Sequence, residues 1–138
     1  MSNVLEVTFS SFDTGNGTKE NRMAEQFYHG FTLGLIADLS NTHTVTSNRE
    51  SGYGRYDVCI EPHDVSKDGI IIEFKVFDPK KEKTIEETAK RALQQIEDRK
   101  YETALKVKGI ENIRKYGFAF KGREVLIEES AVPDTERL

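Results

Sequence analysis

The chain has 138 residues and a mass of 15.7 kDa, the size of one domain with a single core. No apolar run approaches the roughly 18 residues of a membrane-spanning helix, which excludes an integral membrane protein. A single cysteine, Cys59, excludes an intramolecular disulfide and a zinc site built from cysteines. The first residues, MSNVLEVTFSS, lack a basic region and a long apolar stretch, so we do not expect a secretory signal. We therefore expect one soluble cytoplasmic domain over residues 1–138, with a lead-in segment at 1–18 and a polar tail at 130–138.

The charge is unevenly distributed around a net value of −4. Residues 1–74 carry 5 basic and 11 acidic side chains, and residues 124–138 carry 1 and 5. Residues 75–123 carry 14 basic and 8 acidic side chains, an excess of 6 positive charges. The overall balance argues against a general nucleic-acid coat protein. The central block is compatible with one basic face for a nucleic acid, or with a solvated helix rich in Lys and Glu.

Apolar periodicity in the first part of the chain predicts one helix followed by three strands. After a short lead-in strand, residues spaced three and four apart predict a helix over Lys19–Leu39. Strand composition follows at His43–Ser47. Residues alternate over Arg55–Glu61, and a near-continuous apolar run over Ile70–Phe77 is typical of a central strand covered on both faces.

The second part of the chain predicts one helix and two strands. Thr84 and Glu87 have the spacing of a capping box, and an apolar stripe continues the helix to about Val107. Short strands are predicted at Tyr116–Phe120 and Glu124–Ile127. The order of elements predicts an α/β fold with a mixed sheet and no second domain.

Two of the predicted strands contain charged residues among apolar ones. If Arg55–Glu61 and Ile70–Phe77 form a hairpin, Asp57 lies directly opposite Glu73, and Lys75 projects from the same face. Two carboxylates and a lysine are the groups that a Mg²⁺ ion and a hydrolytic water require. The alternative is an ordinary ion pair between Glu73 and Lys75 on a half-exposed strand.

The segments GRYD at 54–57 and IIIEFK at 70–75 resemble the PD-(D/E)XK nuclease superfamily. The similarity is closest to the nuclease-like domain found C-terminal to AAA-type ATPase-like modules. The resemblance implies a restriction-endonuclease-like αβββαβ core with a mixed sheet flanked by helices. The sequence differs from the motif that names the family at position 56, where Tyr56 replaces the proline before the aspartate. Further similar blocks are FYHGFTLGL at 27–35, ALQQIEDRKY at 92–101 and GFAFKGREVLI at 117–127.

This resemblance implies cleavage of DNA phosphodiester bonds with Mg²⁺ or Mn²⁺. It assigns the metal to Asp57 and Glu73, with Glu25 of the first helix completing the site. Lys75 corresponds to the lysine that positions the attacking water, and Gln95 to a glutamine near the site in exonuclease-like members. Related enzymes are often homodimers, and an ATPase module would be a partner in longer relatives.

Three arginines are candidates for contact with a substrate backbone. Arg91 and Arg99 lie one turn to either side of Gln95, where their charge could meet DNA. Arg55 borders a glycine-containing turn that a phosphate could approach. Solvated or purely structural positions are the alternative for all three.

Two rival functions remain open at this stage. The chain could be a nuclease-fold module that binds DNA or a protein partner without cutting it. It could also be a fragment whose activity depends on an ATPase module that this sequence does not contain. The sequence has no P-loop motif, so we expect no ATP chemistry from the chain itself.

Overall fold

The computed structural model describes residues 4–8, 19–50, 55–99 and 101–130. The predicted lead-in strand is confirmed, whereas the polar tail lies outside the described residues except for residue 130. None of the described helices is both long enough and apolar enough to cross a membrane. In chain order the elements are β1 (Val4–Thr8), α1 (Lys19–Leu39), β2 (His43–Glu50), β3 (Arg55–Pro62), β4 (Gly69–Val76), α2 (Ile85–Arg99), α3 (Tyr101–Val107), β5 (Ile113–Lys121) and β6 (Glu124–Glu129).

The described strands form one six-stranded sheet in the order β1-β6-β5-β4-β3-β2. Strands β4 and β5 are parallel, and every other neighbouring pair is antiparallel. Helices cover both faces of β4, which explains its near-continuous apolar sequence. The predicted α/β fold with a mixed sheet is therefore confirmed.

Helix α1 packs on one face of the sheet through aromatic side chains. Phe74 of β4 lies at the centre of this layer, with its ring 4.9 Å from that of Phe118 and 5.3 Å from that of Tyr28. Phe27 and Phe31 of α1 stack 5.7 Å apart and cover the same strands. Because side chains alternate along a strand, this layer uses the even-numbered residues of β3 and β4. The odd-numbered residues face the opposite side.

Helices α2 and α3 cover that opposite side. Ile96 of α2 and Leu105 of α3 pack with Ile71 and Ile110 in a second, smaller cluster. Nearer its start, α2 places Ile85 and Ala89 against residues of β5 and β6. The N-terminus of α2 begins with the predicted capping interaction, in which the Glu87 amide donates to Thr84 Oγ1 at 3.2 Å.

The prediction of one helix from Thr84 to Val107 is wrong. Ile96 and Leu105 are nine residues apart, which places them half a turn out of phase in a continuous helix. Both nevertheless pack in the same cluster, so the chain must change direction between them. Two helices, one ending at Arg99 and one starting at Tyr101, satisfy this requirement. Helical periodicity alone does not reveal such a phase change when the residues on both sides are good helix formers.

Gly117 determines how closely α2 approaches the sheet. Gly117 of β5 pairs with Glu73 of β4, and a Cβ atom at this glycine would lie 2.6 Å from the Ala89 carbonyl oxygen. The Ala92 side chain would be 3.1 Å away. Since no side chain separates them, α2 lies directly on the strand beside Glu73.

Gly117→Ala is expected to lower the free energy of unfolding by about 1–3 kcal/mol, because the added methyl group overlaps backbone that has no room to move. Urea denaturation measures this change. Gly34→Ala is the matched control: nothing lies within 4 Å of its added Cβ, and alanine favours a helix interior by about 0.5–1 kcal/mol. Equal effects of the two substitutions would contradict the close packing at Gly117.

Candidate active site

The candidate active site is centred on two buried carboxylates that face each other across β3 and β4. Asp57 pairs directly with Glu73 in the antiparallel register, as the sequence predicts. Only 3% of Asp57 and 1% of Glu73 is exposed. Directly paired side chains on one face have Cβ atoms ~4.5–5.5 Å apart. Lys75, two residues along β4, projects from the same face and is half-buried.

Three side chains from different elements surround the carboxylate of Asp57. Asn48 lies opposite Asp57 on β2, and its Nδ2 donates a hydrogen bond to Asp57 Oδ1 at 3.0 Å. The Tyr101 hydroxyl donates to Asp57 Oδ2 at 2.7 Å. Arg99 Nη1 lies 3.5 Å from the same oxygen and 3.4 Å from the Tyr101 oxygen. These contacts orient Asp57 from the edge strand on one side and from the helices on the other.

The phenol of Tyr101 is held in its protonated form. Burial, followed by the hydrogen bond to Asp57, raises the pKa of Tyr101 to about 12, although Arg99 acts in the opposite direction. A neutral phenol donates its only proton, so Tyr101 binds Asp57 as a hydrogen-bond donor.

Sequence reasoning did not identify Asn48 and Tyr101 as partners of Asp57. Asn48 shares the register of Asp57, but that register depends on how β2 and β3 are connected. Tyr101 reaches Asp57 because α3 begins at this residue. On one straight helix Arg99 and Tyr101 would point about 200° apart. Because the two residues belong to separate helices, both can approach Asp57.

Gln95 lies on the side of α2 that faces the two carboxylates. Ala92, three residues earlier, packs over Gly117, and Arg99, four residues later, reaches Asp57. Residues at these spacings share one side of a helix, and Gln95 is half-buried there. This position is compatible with the predicted role of Gln95, which stays a prediction.

Glu25 occupies a different position relative to the sheet. It lies in the N-terminal half of α1, whose apolar side chains pack on the face opposite Asp57 and Glu73. Among the described residues, no three His, Cys, Asp or Glu side chains are grouped to hold a metal ion. Glu25 as a third ligand stays a prediction, and it requires the side chain to reach around the end of the sheet.

The three arginines predicted to contact substrate have different surroundings. Arg99 borders the carboxylate pair through Asp57. Arg91 Nε lies 3.1 Å from the buried carboxylate of Glu82, which also accepts hydrogen bonds from the Thr88 hydroxyl and the Asp78 amide. Arg91 thus has a structural partner in the segment that precedes α2. Arg55 is the first residue of β3, paired with Glu50, and its side chain lies outside the described part of the structure.

The donor set at the carboxylate pair fits a hard divalent cation. Asp57 and Glu73 supply carboxylate oxygens, the ligands that Mg²⁺ prefers, and Mg²⁺ commonly uses one or two carboxylates with water and phosphate oxygens. Both side chains are buried on rigid neighbouring strands, so their separation is fixed by the sheet. Burying two such groups is costly unless positive charge compensates them.

The fold and this site together define an α/β domain of the restriction-endonuclease-like type. A family model described as the PD-(D/E)XK nuclease superfamily matches residues 23–130. The chain therefore belongs to the PD-(D/E)XK nuclease superfamily, whose members are generally nucleases and typically use divalent metals. Searches of curated proteins and of solved structures give no match.

Tyr101→Phe is expected to lower the free energy of unfolding by about 1.5 kcal/mol, because the mutant loses a hydrogen bond to a charged group. Urea denaturation measures the change. The control is the same substitution in an Asp57→Ala background, where the hydroxyl has no carboxylate to bind. A similar loss in both backgrounds would show that the hydrogen bond to Asp57 is not its cause.

Cys59, two residues from Asp57 on the same strand face, is expected to react slowly with thiol reagents. Burial, then the charges of Glu61 and Asp57, raises the pKa of Cys59 to about 11. Since the thiolate is the reactive form, modification at pH 8 should be much slower in the folded protein than in urea. Equal rates in the two conditions would contradict this environment.

Proposed function

We propose that this protein is a divalent-metal-dependent nuclease that hydrolyses DNA phosphodiester bonds. The observation that carries the proposal is the direct pairing of the buried residues Asp57 and Glu73, with Lys75 on the same face. A purely structural protein gains nothing from two like charges placed opposite each other in a core strand pair, since this arrangement is destabilising. Membership of a nuclease superfamily supports the same reading.

The proposed metal ligands are Asp57 and Glu73, with Glu25 as a third. These residues would hold a Mg²⁺ or Mn²⁺ ion, which would polarise a phosphoryl oxygen and lower the pKa of a bound water molecule. The chain's own contribution is to fix the carboxylates: Asn48 and Tyr101 orient Asp57, and the close approach of α2 to β5 confines Glu73. Fixed ligands need no rearrangement during the reaction.

Lys75 and Gln95 are the proposed catalytic side chains beside the carboxylates. The Lys75 ammonium orients the attacking water and stabilises the negative charge that develops on the phosphate. Gln95 projects from α2 toward the same region and can hold a water or a phosphate oxygen by hydrogen bonds. Phosphate ester hydrolysis is very slow without a catalyst, so these groups and the metal together must lower a barrier by more than ~15 kcal/mol.

Arg55, Arg91 and Arg99 are the proposed contacts to the DNA backbone. Arg99 lies nearest the carboxylates, whereas Arg91 would use the exposed half of a side chain already paired with Glu82. A cytoplasmic location, a homodimer and an AAA-type ATPase partner belong to the same proposal, through the resemblance to longer relatives.

One observation favours a second function, binding of DNA or a protein without cleavage. Both oxygens of Asp57 already accept hydrogen bonds from the protein itself, as in a site that is complete without a metal. Such a module would bind DNA with or without metal, and its affinity would fall steeply with salt.

Incubation with Mn²⁺ and supercoiled plasmid, linear duplex or a four-way junction tests the proposed cleavage. We expect the parent protein to cleave at least one substrate, and Lys75→Ala to be at least ~100-fold slower because charge stabilisation is lost. Lys108→Ala is the matched control, since this exposed lysine pairs with Glu61 rather than the candidate site. Metal-independent DNA binding by an inactive parent would instead favour the second function.

Glu73→Gln is expected to stabilise the metal-free protein by up to about 1 kcal/mol, because it removes a like charge opposite Asp57. The same substitution should abolish the rise in melting temperature that Mn²⁺ causes in the parent, because binding to the folded state is lost. Differential scanning calorimetry with EDTA and with Mn²⁺ measures both effects. Glu111→Gln, at an exposed position, is the control for charge alone. A Mn²⁺ response in Glu73→Gln equal to that of the parent would refute the metal assignment.

A further inference from the structure

Arg99 forms an ion pair with the buried carboxylate of Asp57. Its Nη1 lies 3.5 Å from Asp57 Oδ2, and 23% of its side chain is exposed, against 4% for that of Asp57. Arg99 is the last residue of α2, and its guanidinium reaches from this helix end to the buried carboxylate on β3. Asn48 and Tyr101, the other two groups bound to Asp57, carry no charge as hydrogen-bond donors.

In the metal-free protein, the charge of Arg99 stabilises the pair of buried carboxylates. Asp57 and Glu73 are both buried and lie in directly paired positions. Two buried carboxylates in paired positions repel each other and are poorly solvated, so a positive charge nearby stabilises them. The described titratable groups on this side of the sheet include Tyr101 on α3, Cys59 on β3 and three cations: Lys75 on β4, Arg99 on α2 and Lys115 on β5. Lys115 is already paired with Glu97 and Glu102, whereas Arg99 contacts Asp57.

We propose that Arg99 binds Asp57 in place of the divalent cation and transfers to a substrate phosphate when the cation is bound. This inference rests on the proposed nuclease function and assigns Arg99 a positioning role in it. Cation and guanidinium compete for Asp57 Oδ2, and two positive charges at one oxygen repel each other. Once displaced, the guanidinium lies beside the site with a fork that matches phosphate geometry.

The geometry gives Arg99 the freedom to change partners. The 3.5 Å separation from Asp57 Oδ2 is long for a charge-assisted bond, whereas the Tyr101 hydroxyl lies 2.7 Å from the same oxygen. Tyr101 can therefore keep Asp57 oriented after Arg99 leaves. The exposed part of the Arg99 side chain provides an approach for phosphate from solvent.

The exchange predicts that metal and DNA reinforce each other's binding through Arg99. Removal of Arg99 should tighten Mn²⁺ binding, because a competitor for Asp57 is lost. It should weaken DNA binding only when metal is present, because without metal Arg99 is engaged by Asp57. A merely structural role would not produce this dependence on metal.

Isothermal titration calorimetry of the full chain with Mn²⁺ tests whether Arg99 competes with the metal for Asp57. We expect Arg99→Gln to bind Mn²⁺ at least about fivefold more tightly than the parent, a coupling of ordinary size. Arg114→Gln is the matched control, because it removes an arginine paired with Glu129, another buried carboxylate, and should leave Mn²⁺ affinity unchanged. If Arg99→Gln does not fold, Arg99→Met, which also removes the charge but keeps an apolar side chain of similar length, should show the same tighter binding of Mn²⁺, and an affinity equal to that of the parent would overturn the proposal.

Measurement of DNA affinity tests whether Arg99 contacts DNA only when the metal is bound. The measurement uses a Lys75→Ala background, which prevents cleavage. With Mn²⁺, Arg99→Gln should weaken binding of a duplex severalfold, and in EDTA it should have no effect. Unchanged or weaker Mn²⁺ binding by Arg99→Gln, or an equal loss of DNA affinity with and without metal, would overturn the exchange while leaving the nuclease proposal intact. Absence of Mn²⁺ binding by the parent would overturn both.

Discussion

The pairing of Asp57 with Glu73 is the constraint on which the rest of the site depends. Two carboxylates opposite each other repel, and burial increases the cost because water cannot solvate them. The surrounding structure supplies the compensation: hydrogen bonds to Asp57 from Asn48 and Tyr101, and positive charge from Arg99. Much of the architecture on this side of the sheet is therefore arranged around one unfavourable pair.

The two faces of the sheet have different roles: one carries most of the apolar core, and the other carries the candidate site. On the α1 side, aromatic rings around Phe74 form the larger of the two apolar clusters that line the sheet there and opposite it. On the other side, α2 and α3 cover the sheet with a smaller apolar cluster, and the carboxylates lie beyond it. Because neighbouring residues of β4 point to opposite faces, one strand serves both purposes. Phe74 anchors the core while Glu73 and Lys75 are presented to the site.

The sequence predicted the sheet and the pair well, because both rest on short-range patterns. Alternation in β3, the apolar run of β4 and the short loop between them define a hairpin register, and that register alone places Asp57 opposite Glu73. The bounds of α1 also follow from apolar spacing. The boundary between α2 and α3 was missed, because it depends on tertiary packing of Leu105 rather than on local helix preference.

The partners of Asp57 were missed for the same reason. Tyr101 is 44 residues away along the chain and reaches Asp57 only through the α2–α3 boundary. Asn48 requires the β2–β3 register, which apolar alternation in the polar strand β2 specifies weakly. Patterns of apolar residues identify what is buried together, but they do not determine which polar groups meet.

The contact between Asn48 and Asp57 depends on the number of residues that connect β2 to β3. Among the described strands, β2 lies at an edge of the sheet and pairs with β3 alone. A one-residue insertion or deletion between Glu50 and Arg55 that shifted β2 by one position would turn the Asn48 side chain to the opposite face. Asp57 would then lose its contact from β2, and Val45, which packs against the cluster around Phe74, would turn away from that cluster. A change in chain length between β2 and β3 would therefore act on the candidate site in the same way as a substitution of Asn48.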